Sequence, residues 1–208
     1  MIVLSAGLHG GEGAVQALFA AAERRESERI TATLPGTTTP QRIGQFQLSN
    51  FINAAGLDPK SMRFVAFEGG GEAITALQGG HVQVYSGDAS EAEEQIKAGA
   101  KIRVLAVLAD TRLEGPMGKT PTMKELGYDV QWPIIRGFFM GPKVSDADFK
   151  VWQTTFAKMM ATPEYDKLRA ERSLFKFALT GKELDAFIAE RMTTYRTLAK
   201  DFGLKVAQ

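Results

Sequence analysis

Residues 61–88 read S-M-R-F-V-A-F-E-G-G-G-E-A-I-T-A-L-Q-G-G-H-V-Q-V-Y-S-G-D, and this stretch decides the fold class. Phe64-Val65-Ala66-Phe67 is a short, β-prone apolar run bounded by glycines, the pattern of a buried strand. Gly69, Gly70 and Gly71 follow. Without Cβ atoms the backbone turns sharply there and lets another group come close. Glu72 to Leu77 carries Ala73, Ile74 and Leu77 on one face, which predicts a short helix that Gly79-Gly80 ends. His81 to Tyr85 alternates as a strand, and Ser86-Gly87-Asp88 opens the next helix. The order is strand, glycine loop, helix, strand, loop. In open parallel sheets, ligands bind outside the carboxyl ends of the strands, where such loops sit.

The alternation continues on both sides. Upstream, Ile2 to Ala6 and Arg29 to Leu34 predict strands, with a helix from Ala14 to Arg25 between them. Thr39-Pro40 starts a further helix that ends at Gly56, because a hydroxyl caps free N–H groups and proline suits the first turn. Downstream, Ala89 to Ala98 predicts an acidic helix closed by Gly99, and Lys101 to Leu108 another buried strand. Repeated strand, loop and helix argue for an α/β domain with a parallel sheet. Asp110 to Thr122 reads as loop, and Met123 to Leu126 as a helical turn ended by Gly127. Ile134 to Met140 predicts a last apolar strand, interrupted by Arg136-Gly137. Helices then take over. Ser145 caps the first, to Ala161. Thr162 caps the second, from Pro163 to Arg172. Thr180 or Gly181 opens the last, through Leu184, Phe187, Ile188, Met192, Tyr195 and Leu198.

Composition narrows the function classes. The 208 residues are 44% hydrophobic and 24% charged, enough for an ordinary core. A net charge of +1 makes no general case for nucleic acid or an anionic membrane. With no cysteine and two isolated histidines, thiol chemistry is excluded and a metal site or cofactor is not expected. No apolar run reaches the ~18 residues of a membrane span, so no direct membrane insertion is expected. The first residues lack the charged start and apolar core of a signal peptide.

The chemical signal is convergence. Three loops follow three predicted strands: Pro35 to Thr39, Glu68 to Gly71, and Ser86 to Asp88. If those strands are parallel neighbours, the loops share one edge. Each then precedes a helix whose first N–H groups lack partners, a natural seat for a carboxylate or phosphate. Thr37, Thr38, Thr39 and Ser86 would add hydroxyl donors. Spacing alone slightly favours a simpler reading, that these are ordinary caps and turns. Asp88 and Glu72 fit the positive ends of helices; Asp88 is the better of the two to accept hydrogen bonds from a ligand. Glu91, Glu93 and Glu94 read as a solvated face. Arg136, inside an apolar strand, requires a partner, with an anionic ligand as one candidate. No nucleophile motif accompanies His9-Gly10-Gly11, and His81 reads as structural.

These residues resemble a family. F-V-A-F-E-G-G-G-E-A-I-T-A-L-Q-G-G-H-V-Q-V, then Q-I-K-A-G-A-K-I-R-V-L-A-V, then K-T-P-T-M-K-E-L-G are similar to the substrate-binding proteins of tripartite tricarboxylate transporters, the TctC or Bug type. Ile135-Arg136-Gly137-Phe138-Phe139 resembles the family's W-R-G segment, with Ile for Trp. The resemblance covers nearly the whole chain. It implies an α/β, periplasmic-binding-protein-like (type II) lobe with a mainly parallel sheet, plus C-terminal helices. Residues 1–130 would form the ligand-binding lobe, matching the family's second lobe. Residues 131–208 would supply a crossover strand and helices that normally pack on the first lobe. The implied function is capture of a small organic carboxylate for a membrane permease, in the periplasm, with no catalysis, no cofactor and no nucleic acid. The implied ligand-binding positions are Gly36, Thr37, Thr38, Thr39, Ser86, Gly87 and Asp88, to which the convergence of loops adds Gly69 and Gly70. The chain departs from the pattern in having Gln83 for the usual acid and threonines in the Ser/Gly-rich turn. Most of the family's first lobe is also without a counterpart, so the apolar faces of residues 149–160 and 184–198 are expected to be partly exposed. The alternatives are a small α/β enzyme using Asp88 or His9 on a small anionic substrate, and a one-lobe remnant without ligand.

Overall fold

The structure is a computed structural model that describes residues 2–5, 31–35, 49–50, 52–58, 63–67 and 69–201. Five described strands form one sheet: β1 (Ile2–Ser5), β2 (Thr31–Pro35), β3 (Arg63–Phe67), β4 (Val84–Ser86) and β5 (Ile102–Ala106), in the order β3-β2-β4-β1-β5. β2 runs parallel to both β3 and β4, with Thr33 opposite Val65 on one side and Tyr85 on the other. β1 is antiparallel to β4 and to β5. The sheet is therefore mixed, with β2 parallel to both its neighbours and β1 antiparallel to both of its own, where a mainly parallel sheet was expected. Strands buried on both faces are apolar whichever way they run, so their composition does not encode direction.

Helix α1 (Gly70–Gln78) and helix α2 (Ala89–Lys97) follow β3 and β4. β4 is buried along its whole length, as a central strand must be. Adjacent residues on it face opposite ways. Tyr85 joins a core with Ala73, Ile74 and Leu77 of α1, Ala92 of α2, and Val82, Ile102 and Met117. Val84 joins a second core with Ile52, Leu105, Met123, Val130 and Trp132. The sheet is thus covered on both faces, the arrangement of an α/β domain.

In the K-T-P-T-M-K-E-L-G motif, Met123 to Leu126 makes a single turn, in which the Leu126 N–H donates to the Thr122 carbonyl at 3.3 Å. Thr122 Oγ1 accepts from the Glu125 N–H at 3.1 Å, and Glu125 Oε2 accepts from the Thr122 N–H at 2.7 Å, a reciprocal capping box. That backbone bond and the Arg112 guanidinium hold the Glu125 carboxyl below its ordinary range. Gly127 closes the turn at φ +91, where a Cβ would be strained. Thr122 also bridges to Val107 beyond the end of β5.

The rest is helical: α3 (Asp146–Met160), α4 (Pro163–Glu171) and α5 (Gly181–Asp201). Ser145 and Thr162 cap α3 and α4 by accepting from the N–H groups of Asp148 and Tyr165. The end of α5 returns to the sheet, where Tyr195 stacks on Trp132 at 4.8 Å between ring centroids and Ala199 is fully buried. By contrast α3 buries no residue, and Phe149, Val151, Trp152 and Met159 are exposed. On α5, Met192 is exposed too, so both expected faces are partly open.

Residues 134–140 form no strand, contrary to the crossover strand expected there. Phe138 and Phe139 are 80% and 85% exposed, and no described strand runs beside them. β-propensity becomes a strand only where a neighbour supplies the ladder.

Candidate ligand-binding site

Because β2, β3 and β4 are parallel neighbours, their carboxyl ends share one edge. Two of the three expected loops are described there. Gly36, Thr37, Thr38 and Thr39, with their helix start, lie outside the described residues, as does His9.

Tyr85 organises this edge. Its ring is fully buried, and its hydroxyl donates to Glu91 Oε2 at 3.0 Å. Burial first, then the neighbouring Glu91 charge, push the phenol far above its ordinary range, so it stays a neutral donor. Both flanking glycines serve this residue. A Cβ at Gly87 would strike the Tyr85 ring and hydroxyl, and one at Gly70 would strike the Glu91 carboxylate. Their smallness is thus explained by packing within the chain. Gly69 and Gly71 differ, because no described atom lies within 4 Å of where their Cβ would stand. Among the described residues, nothing stands against these two positions at the start of α1. That start has no side-chain cap, and its first intrahelical bond runs from the Ala73 N–H to the Gly69 carbonyl. The N–H groups of Gly70, Gly71 and Glu72 precede it, and unsatisfied donors at a helix start favour an anion. The Glu72 side chain is exposed, as a helix-start acid commonly is.

α2 begins differently, since Asp88 caps it. Its Oδ1 accepts from the Ser90 N–H at 3.1 Å and from the Ser90 hydroxyl at 3.0 Å. Its Oδ2 accepts from Arg136 Nη2, and the same nitrogen lies 3.6 Å from Glu91 Oε1. Both oxygens of Asp88 are therefore engaged inside the chain. Asp88 is a cap and an ion-pair partner rather than a free acceptor. Ser86 and Gly87 are buried beside it.

Of the expected positions, Gly69, Gly70, Ser86, Gly87 and Asp88 do meet at one edge. Three residues join them that the sequence reading had placed elsewhere. Tyr85 was read only as a strand residue. Arg136 was expected inside a strand; it sits instead in an exposed segment, its side chain 63% exposed, and still reaches Asp88. Glu91, read as part of a solvated face, faces Tyr85 and Arg136. The signal for Glu91 was present in Asp88-x-x-Glu91, an acid cap followed by glutamate at the third position. Glu93 also departs from that reading. It is 3% exposed and accepts from the Ser173 hydroxyl at 2.5 Å, which ties the end of α4 to α2. No group of three metal-ligating side chains occurs among the described residues.

The fold and this edge define an α/β domain with a candidate anion-binding edge, and comparison with known proteins gives its family. Residues 13–204 match the model of the tripartite tricarboxylate transporter family receptor, TctC; the chain belongs to this family, whose members are receptors rather than enzymes. No curated protein matches. Among solved structures, a TctC solute-binding protein from Polaromonas, without ligand, aligns with TM-score 0.65 and 21% identity, over 96% of this chain and 65% of its own. A periplasmic transporter protein aligns with TM-score 0.79 and 16% identity, over 98% and 65%. An R. palustris protein solved with adipate aligns with TM-score 0.76 and 16% identity, over 98% and 64%. At such identities the likeness shows the fold. The chain spans about 65% of the length of these relatives.

Proposed function

We propose that the protein captures a small organic carboxylate in the periplasm and presents it to the membrane permease of a tripartite-type transporter. Family membership supports the class. The observation that carries the ligand chemistry is the uncapped start of α1, with no described atom against the Cβ positions of Gly69 and Gly71 and with Arg136 beside Gly70's neighbours. Backbone N–H groups and a guanidinium together suit a carboxylate. The adipate held by one relative is of this class. In this reading Gly69, Gly70, Ser86, Gly87 and Asp88 form the wall of the site, with Gly36, Thr37, Thr38 and Thr39 completing it. Residues 1–130 act as the binding lobe of a type II receptor, with β1 running against β4 and β5. Residues 131–208 are the crossover and its helices. Capture needs no covalent step.

The test is thermal denaturation of the chain with mono-, di- and tricarboxylates. A ligand at a hundredfold its Kd adds about 2.7 kcal/mol of stability, a rise of roughly 5–10 °C for a chain of this size. The bound carboxylate should be recovered unchanged. No rise with any carboxylate would overturn the reading, and turnover of the ligand would favour an enzyme.

A further inference from the structure

Resting on that reading, we infer that Arg136 is the side chain that grips a carboxylate of the ligand, and that Asp88 and Glu91 are the positioning residues that aim it. Three observations lead there. First, Arg136 is committed through a single nitrogen. Nη2 meets Asp88 and Glu91, and its remaining donors have no partner among the described residues. A guanidinium carries five N–H donors in a planar fork matched to a carboxylate. Second, nothing in the fold of its own segment requires an arginine there. Its neighbours Ile134, Ile135, Phe138 and Phe139 are exposed and form no strand, yet Arg136 reaches back to the cap of α2. Third, its partners are themselves fixed. Asp88 is 8% exposed and held by Ser90, and Glu91 is held by the buried Tyr85 hydroxyl. A charged side chain with one edge clamped and the other free is pre-organised, which lessens the ordering cost of binding.

The charges add a specificity. Asp88 and Glu91 outnumber Arg136, so the cluster attracts an anion through directed donors and not through a long-range field. One carboxylate fits against the free edge of Arg136. A compact tricarboxylate brings further negative charge toward Asp88 and Glu91, where like charges repel. The preferred ligand therefore has a single carboxylate, or two held well apart.

Isothermal titration of the 208-residue chain with adipate, hexanoate and citrate tests this. The unaltered chain should bind hexanoate or adipate more tightly than citrate. R136Q should weaken that binding about tenfold to a hundredfold, the scale of a lost charge-assisted hydrogen-bond pair. The ligand-free melting temperature should fall by only a few degrees, because Arg136 is exposed but the nearly buried Asp88 loses one partner. R136K, which keeps the charge but not the fork, should fall between. D88N keeps the cap and loosens the clamp. It should weaken binding less than R136Q and add nothing in the R136Q background, a coupling that a purely structural cap would not produce. If the unaltered chain binds and R136Q binds within twofold, the assignment of Arg136 is wrong and the receptor reading stands. If the unaltered chain binds none of the three, both fail.

Discussion

The sheet with α1 and α2 and the segment from Ile134 to Met160 are equally apolar in sequence and opposite in structure. In the first, Val84, Tyr85, Ile74 and Leu77 are at or near zero exposure. In the second, Phe138, Phe139, Val151 and Trp152 are each more than half exposed, and α3 has no buried residue. Phe138 and Trp152 pack mainly on Phe156, with ring centroids 4.9 and 5.9 Å away. The contrast teaches that apolar periodicity specifies which face wants cover, and that only a neighbouring element decides whether it is covered.

The largest expected difference is in the core. Leu77→Ala should cost about 2–5 kcal/mol in denaturant unfolding, since it removes buried methyl groups and leaves a cavity. Trp152→Ala should cost about 1 kcal/mol at most, because half of the side chain faces solvent and its aromatic contact is Phe156. Equal losses would break the comparison. Next comes Gly70→Ala, whose methyl group would displace the Glu91 carboxylate from Tyr85. Overpacking of this kind costs about 1–3 kcal/mol, and carboxylate binding should weaken with it. Gly71→Ala, with open space around it, should leave stability nearly unchanged.

Asp88→Ala should cost about 0.5–2 kcal/mol by uncapping α2, and Ser145→Ala about as much at α3. The comparison sharpens at Asp88, where the loss should extend to ligand affinity; at Ser145 it should not.

The smallest effect is a pH dependence. The folded Glu125 carboxyl titrates below its ordinary value of 4.5, so its capping box stabilises the fold above that pH and loses the contribution as pH falls through the folded value. The difference in melting temperature between the unaltered chain and Glu125→Gln should accordingly shrink below pH 4.5. A constant difference would show that the box contributes no pH-dependent stability.

Local features were legible in the sequence because their causes are local. The Ser145 and Thr162 caps, the end of α1 at Gly79-Gly80 and the turn at Gly127 depend on residues within four positions of one another. The direction of β1 was not legible, since it depends on pairing with β4 and β5, some 80 to 100 positions away. The same holds for the site. Gly69 to Asp88 could be gathered from strand–loop order alone. The Arg136–Asp88 pair joins side chains 48 positions apart, and the role of Gly87 rests on the buried ring of Tyr85. At Gly70 and Gly87 the room a glycine leaves is taken by a side chain of the same protein, which loop composition alone does not reveal.

Trp132 and Tyr195 stack on one another, and both belong to the core beneath the sheet. Everything between them is therefore a belt buckled at its two ends. It is stitched again where Arg169 meets Glu114 and Ser173 meets Glu93. A belt fastened this way cannot swing free. The segment that carries Arg136 is thus anchored to the same core that supports the sheet edge bearing Asp88.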